Sequence, residues 1–145
     1  MGQNTLIVSN WKMNLNLSSA KRLISKLKKI RSKKKLKIKN IVCPQFLLIP
    51  LIQEQIKSSN IILGAQDCHQ KSSGSYTGDS SILLLKKFGC KYVIIGHSER
   101  RNFYNEKNSD VKLKLLHVKE NGISPIVCIG ESIIERKKKT YEKFI

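Results

Sequence analysis

The densest chemistry in the sequence lies between Val93 and Asn102, where an apolar run reaches Gly96 and His97, Ser98, Glu99, Arg100 and Arg101 follow at once. This pattern sets an imidazole at the carboxyl end of a strand. The N-terminus of a following helix can hold such a ring neutral. A second segment, Ser9-Asn10-Trp11-Lys12-Met13-Asn14, closes another apolar run the same way and supplies an amide and an ammonium. Gln66 and Glu131 each follow a further apolar run. Any one of these side chains could be a helix cap or a solvated turn residue. Their joint placement behind successive strands does not come easily from chance.

The elements that must position them alternate regularly. Thr5–Ser9 is too short an apolar run for a helix and reads as a strand. Ser18 or Ser19 can cap a helix whose apolar face is Ala20, Leu23, Ile24, Leu27 and Ile30, spaced by three and four. Leu36–Cys43 reads as a second strand, and Pro44 as the start of a short helix reaching Ile56. Ile61–Ala65 is a third strand, followed by a polar loop from Gln66 to Asp79 whose length points to function. Asp79 or Ser80 is expected to cap a helix over Ser81–Phe88. Tyr92–Ile95 is the fourth strand, with a short helical turn after His97 and a longer helix over Glu106–Glu120. Ser124–Ile129 is the fifth, and Glu131–Phe144 begins another helix. Strands without clean polar alternation, each followed by an amphipathic helix, predict an α/β fold with parallel strands covered by helices. All the polar residues above then fall on one rim, where active sites of parallel α/β folds form.

The 145 residues carry 28 Lys and Arg against 10 Asp and Glu, a formal charge of +18. Lysine is scattered widely, so solvated faces are the expectation, with non-specific polyanion binding as the alternative. The densest block, Lys28–Lys39, has no aromatic residue for base stacking, so no specific nucleic acid is expected. The sequence holds no run near the ~18 apolar residues of a membrane span. The amino terminus lacks the charged and apolar regions of a signal peptide, leaving the glycosylation match at Asn16-Leu17-Ser18 without force. Cys43, Cys68, Cys90 and Cys128 show no metal-ligand spacing. Reduced thiols, a cytoplasmic location, no metal and no cofactor are expected. Cys128 reads as a packed strand residue, and His69 and His117 receive no role.

Five segments, in order, resemble signatures of the triosephosphate isomerase family: Asn10-Trp11-Lys12-Met13-Asn14, Gly64-Ala65-Gln66-Asp67, Tyr76-Thr77-Gly78-Asp79, Val93 to Arg101, and Pro125 to Glu131. The resemblance covers nearly the whole chain. It implies interconversion of dihydroxyacetone phosphate and glyceraldehyde 3-phosphate through an enediolate, in glycolysis and gluconeogenesis. That family is the standard case of a glutamate base working with a neutral histidine electrophile. By the resemblance His97 is the electrophile, Lys12 holds the phosphate and stabilises the enediolate, and Asn10 donates to a substrate oxygen. Glu99 is expected to orient the site by pairing with Lys12 or by capping near Ser98, and Trp11 to pack. Thr77 would lie on a loop inserted into the second subunit of a homodimer, with Gln66 supporting it. Two small departures stand out: Leu15 where many relatives carry a small residue, and Asp67 for the commoner asparagine.

The fold implied is the (β/α)8 TIM barrel, which typically takes about 250 residues. Residues 1–145 are therefore expected to form a single incomplete TIM-barrel domain of about five βα units. Strands six to eight, the proton-abstracting glutamate and the closing loop find no counterpart before Ile145. Glu131 and Glu99 have other expected places and are poor substitutes for the base. The alternative expectation is a truncated, non-catalytic remnant or half-barrel interaction protein, its outer strands left as open edges.

Overall fold

In the computed structural model, which describes residues 5–30, 38–131 and 133–138, five parallel strands lie side by side in sequence order and curl into part of a barrel. They are β1 (Thr5–Asn10), β2 (Ile38–Cys43), β3 (Ile61–Ala65), β4 (Tyr92–Ile95) and β5 (Ser124–Val127). Between and after them run α1 (Leu17–Lys29), α2 (Ile49–Ile56), α3 (Ile82–Lys87), α4 (Ser98–Tyr104), α5 (Asn108–Glu120) and α6 (Ile133–Lys137). The alternation of strand and helix read from the sequence is the architecture of the chain, an incomplete (β/α) TIM barrel. Among the described residues no helix is long and apolar enough to cross a membrane.

Register assigns each strand residue to a face. Val8 aligns with Ile41, Asn10 with Cys43, Ile41 with Ile62, Gly64 with Tyr92, and Ile94 with Ile126. These form the inner, concave face, where Ile41, Cys43 and Ile94 make a small cluster joined by Ile62, Tyr92, Ile126 and Cys128. The alternate residues Val42, Leu63, Ala65, Val93 and Ile95 meet the helices in the larger core, with Ala20, Ile24, Ile49, Ile52, Ile82, Leu85, Val111 and Val118. Burying one such Ile or Val stabilises by about 1.5–3 kcal/mol. At the edge, Leu6, Ile7 and Val8 of β1 are exposed.

Several boundaries differ from expectation. Asn16, not Ser18 or Ser19, caps α1: its Oδ1 accepts from the Ser19 amide at 2.9 Å, and Ser19 Oγ accepts from the Asn16 amide at 2.9 Å. That reciprocal box satisfies two donors at once and starts the helix earlier. Ile30, expected on the apolar stripe, instead ends α1 in extended conformation and is exposed. Pro44 starts no helix. A 3-10 turn over Phe46–Leu48 leads into α2, and Pro50 occupies the first turn, where no amide donor is needed. Ser81, not Asp79 or Ser80, caps α3 by accepting from the Leu83 amide at 3.2 Å. Glu106 lies outside α5, which Lys107 caps with its amide donating to Asp110 Oδ2 at 2.9 Å, and the Glu106 carboxylate joins a buried ion cluster with Lys114. Beyond Val127 only the Cys128 amide keeps the ladder, donating to the Ile95 carbonyl at 2.9 Å, and Ile129 is exposed. Residues 31–37, which include the start of the expected second strand and much of the basic block, lie outside the described residues. So does the expected last helix beyond residue 138.

Gly64 is required on the inner face. A Cβ there would lie 2.7 Å from Cys43 Sγ, 3.2 Å from Ile41 Cγ2 and 3.3 Å from the Tyr92 carbonyl oxygen. Gly64→Ala should lower stability by about 1–3 kcal/mol in urea unfolding. The double variant with Cys43→Ala should recover part of that loss, and strict additivity of the two changes would show that the clash is not the cause.

Candidate active site

The carboxyl ends of β1, β3 and β4 place Asn10, Lys12, Gln66, His97 and Glu99 around one pocket of about 170 Å³. Met13, Phe46, Asp67, Arg100 and Tyr104 complete its wall. Glu131 stands apart from this lining and pairs with Arg136 at 3.4 Å. Thr77 is exposed on the loop after β3, also outside the pocket. Trp11 is buried in the helix-side core.

Lys12 is held in an uncommon backbone conformation, with φ at 51°. A non-glycine residue in the left-handed region carries strain of about 1–3 kcal/mol and persists only when its neighbours over-determine it. Here they do. Asn10 Oδ1 accepts from the Lys12 amide at 3.0 Å, Gln66 Nε2 donates to the Lys12 carbonyl at 2.8 Å, and the Trp11 amide donates to the Cys43 carbonyl at 3.0 Å. Gln66 Nε2 also reaches the Cys43 carbonyl at 2.9 Å. The hydrogen bonds of Gln66 thus brace the turn after β1, not the loop around Thr77.

The turn aims the Lys12 ammonium at Glu99, with Nζ and Oε1 2.7 Å apart. Of the two expected partners for Glu99, the structure places it on Lys12. Hydrogen bonding from Lys12 holds the Glu99 carboxyl below the ordinary glutamate range, and the charge of Lys12 acts in the same direction.

His97 is the N-cap of α4, and its Nδ1 accepts from the Glu99 amide at 3.3 Å. Glu99 Oε2 is also 3.5 Å from Nδ1, which would favour a proton there. The amide N–H points at Nδ1, and the carboxylate oxygen bonded to Lys12 is the other one, Oε1. With Nδ1 accepting, a neutral ring carries its proton on Nε2 and presents it as a donor. Gly96 makes this turn possible at φ 68°, and Arg101 ties it down by donating from Nε to the Gly96 carbonyl at 2.7 Å.

Beneath the pocket lies a cluster that the sequence reading missed. Lys114 Nζ reaches both Asp67 oxygens at 2.8 Å and also bonds Glu106. Arg100 Nε lies 2.7 Å from Asp67 Oδ2 and 3.6 Å from Glu106. The Arg100 approach is an ion pair without hydrogen-bond alignment, since its Nε has no hydrogen-bond acceptor among the described residues. Burial raises the Asp67 carboxyl above the ordinary aspartate range, against the opposing pull of Lys114 and Arg100. A signal was available: Lys114 occupies the buried stripe of α5 between Val111 and Val118. A lysine in that register announces a buried partner.

The loop after β3 is pinned by the histidines left without a role. His69 stacks on Tyr76 with centroids 3.9 Å apart, and His117 lies 3.3 Å from Ser72 Oγ. Burial pushes the thiols of Cys43, Cys68 and Cys90 up to about 12 and raises Cys128. All four are free. Such thiols are poor nucleophiles at neutral pH.

Comparison with known sequences adds an independent finding. The sequence model of the family "Triosephosphate isomerase" matches residues 5–145. A protein named triosephosphate isomerase from Clostridium botulinum (strain Loch Maree / Type A3) is 40% identical over 143 residues, covering 99% of this chain and 57% of that protein. One from Thermoanaerobacter pseudethanolicus is 43% identical over 138 residues, covering 94% and 55%. One from Legionella pneumophila (strain Lens) is 36% identical over 140 residues, covering 97% and 56%. The chain thus spans a little over half the length of the curated relatives it matches.

The Glu99 shift can be tested directly. A depressed carboxyl stays charged as pH falls through the ordinary glutamate range. The stabilisation it shares with Lys12 is therefore present above the unfolded value and lost as pH drops through the lower folded one. In a carbon-13 titration Glu99 should change below the ordinary range, and Lys12→Met should return it there. A midpoint indifferent to that substitution would remove Lys12 as the cause.

Proposed function

Because the chain belongs to the triosephosphate isomerase family, we propose that it supplies the electrophilic half of an active site interconverting dihydroxyacetone phosphate and glyceraldehyde 3-phosphate. The observation that carries this reading is the constellation of His97, Lys12 and Glu99, which the curl of the sheet joins from the tips of β1 and β4. His97 offers a neutral Nε2–H, suited to polarising a carbonyl and exchanging a proton between the two substrate oxygens. Lys12 offers a compact cation to a phosphate and to the enediolate, in a pocket it shares with Asn10. Asn10 Oδ1 is engaged by the Lys12 amide, which leaves its NH2 group to donate to substrate. Glu99 positions Lys12.

The reaction also needs a base within about 3 Å of the carbon-bound proton. In this reading the base comes from polypeptide corresponding to the part of the relatives that lies beyond the match, and residues 1–145 form one incomplete barrel domain that such a segment completes. The whole protein is a cytoplasmic homodimer, with Thr77 at the subunit contact and no cofactor. The exposed apolar residues of β1 favour a second reading, in which the 145 residues alone act as a half-barrel that associates without turnover.

The test is complementation. The 145-residue chain is co-expressed with the segment of the Clostridium botulinum relative that follows the matched residues, and triose phosphate interconversion is measured. Turnover should require both pieces. His97→Gln should then lower kcat by about 10²–10⁴-fold with the complex intact. A stable complex without turnover, or a His97→Gln complex with unchanged kcat, would contradict the proposal.

A further inference from the structure

We propose that the rim at the amino ends of the strands, opposite the pocket, binds the phosphodiester backbone of double-stranded nucleic acid without reading its sequence. The argument begins with topology. All five strands are parallel, so each helix returning to the next strand ends at this rim. The helices finish in lysine: α1 in Lys26, Lys28 and Lys29, α3 in Lys86 and Lys87, and α5 in Lys119. Lys57 follows α2, while Lys39 and Lys91 stand at the entries to β2 and β4. All nine are exposed.

The rim is continuous. Lys28 Nζ at the end of α1 donates to the Gln55 carbonyl near the end of α2 at 2.9 Å. Gly89 after α3 faces Gln53 of α2, and Gly122 after α5 faces Lys86 of α3. Among the described residues, two carboxylates are seen at this end, Glu54, paired with Lys57 at 2.8 Å, and Glu120. Asp67, Asp79, Glu99, Glu106, Asp110 and Glu131 lie at the other end, behind strands or at helix starts. Each helix C-terminus carries only about half a negative charge, which leaves most of the lysine charge uncompensated. The fold therefore brings nine lysines that are scattered along the sequence to one rim.

The chemistry of that face selects the partner. Among the described residues the exposed aromatic side chains are Phe46, Phe103 and Tyr104. Phe46 and Tyr104 line the pocket at the opposite end, and Phe103 adjoins Tyr104. Among the described residues the aromatic ring at the rim is that of Phe88, half-buried against the core, which leaves no exposed stacking platform for unpaired bases and no exposed aromatic anchor for a bilayer. A row of ammonium groups without stacking partners suits a regular array of phosphates, whose condensed counterions it would release.

The test measures binding of the full chain to a short labelled duplex across a salt series. The triple variant K57E/K86E/K91E should weaken binding at least about tenfold and flatten the log–log salt slope by about 2–3. The control K71E/K107E/K112E changes net charge equally but lies on the pocket side, and it should cost less than about threefold. Circular dichroism checks the fold of both, and the corresponding Lys→Gln triples provide milder versions. Equal losses in the two triples would overturn the proposal in favour of diffuse charge. Tighter binding to phosphatidylserine vesicles than to duplex at the same salt would also overturn it.

Discussion

Parallel pairing of all five strands is the constraint from which the rest of the molecule follows. A strand that must leave at one end and return through a helix sends every connection after a strand to one rim and every helix end to the other. The first rim collects the residues that end strands and begin helices: Asn10, Lys12, Gln66, His97 and Glu99. The second collects the residues that end helices, which in this sequence are lysines. The helix dipoles reinforce the division, since their positive ends point toward the pocket and their negative ends toward the lysines. No carboxylate or lysine needs long-range guidance to reach its face. Its place in the βα unit decides it.

The turn after β1 shows what this arrangement costs locally. Lys12 adopts a left-handed backbone that a lysine does not favour, and three neighbouring groups hold it there. One is on its own strand (Asn10), one directly follows β3 (Gln66), and one is the main chain of β2 at Cys43. The strain is therefore sustained by strand pairing across three strands. Loosening β1 from β2 would release it and with it the aim of the ammonium. This ties the site to the integrity of the sheet, even though β1 is the most exposed strand.

Much of this was legible in the sequence because the informative signals are local. Strand ends, the apolar stripe of α1 and the helix after His97 depend on neighbours within a few residues. The mistakes came where two local signals competed. Asn16, Ser18 and Ser19 are all cap formers, and only the reciprocal bonding of Asn16 with Ser19 settles the choice. Pro44 and Pro50 both suit a helix start, and the 3-10 turn between them gives it to Pro50. The ion cluster was not legible as a unit because Asp67, Arg100, Glu106 and Lys114 meet only through the fold. The substitution of aspartate for asparagine at position 67 looked minor on the sequence. In the structure Asp67 contacts both cations of the cluster.

That residue bears on the electrostatics of the pocket. Arg100 and Lys114 face Asp67 and Glu106, so the cluster closes with balanced charge. Lys12 and Glu99 balance likewise. Each carboxylate lining the pocket thus has a cation against it, and an incoming phosphate meets no unpaired negative charge. What remains unbalanced is the N-terminus of α4, whose positive end lies beside His97. Under the proposed function, a phosphorylated substrate shares Lys12 with Glu99. The share it can take grows because the half-exposed pair is weak in water. On that proposal Glu99 fixes the ammonium and yields part of it to a stronger anion.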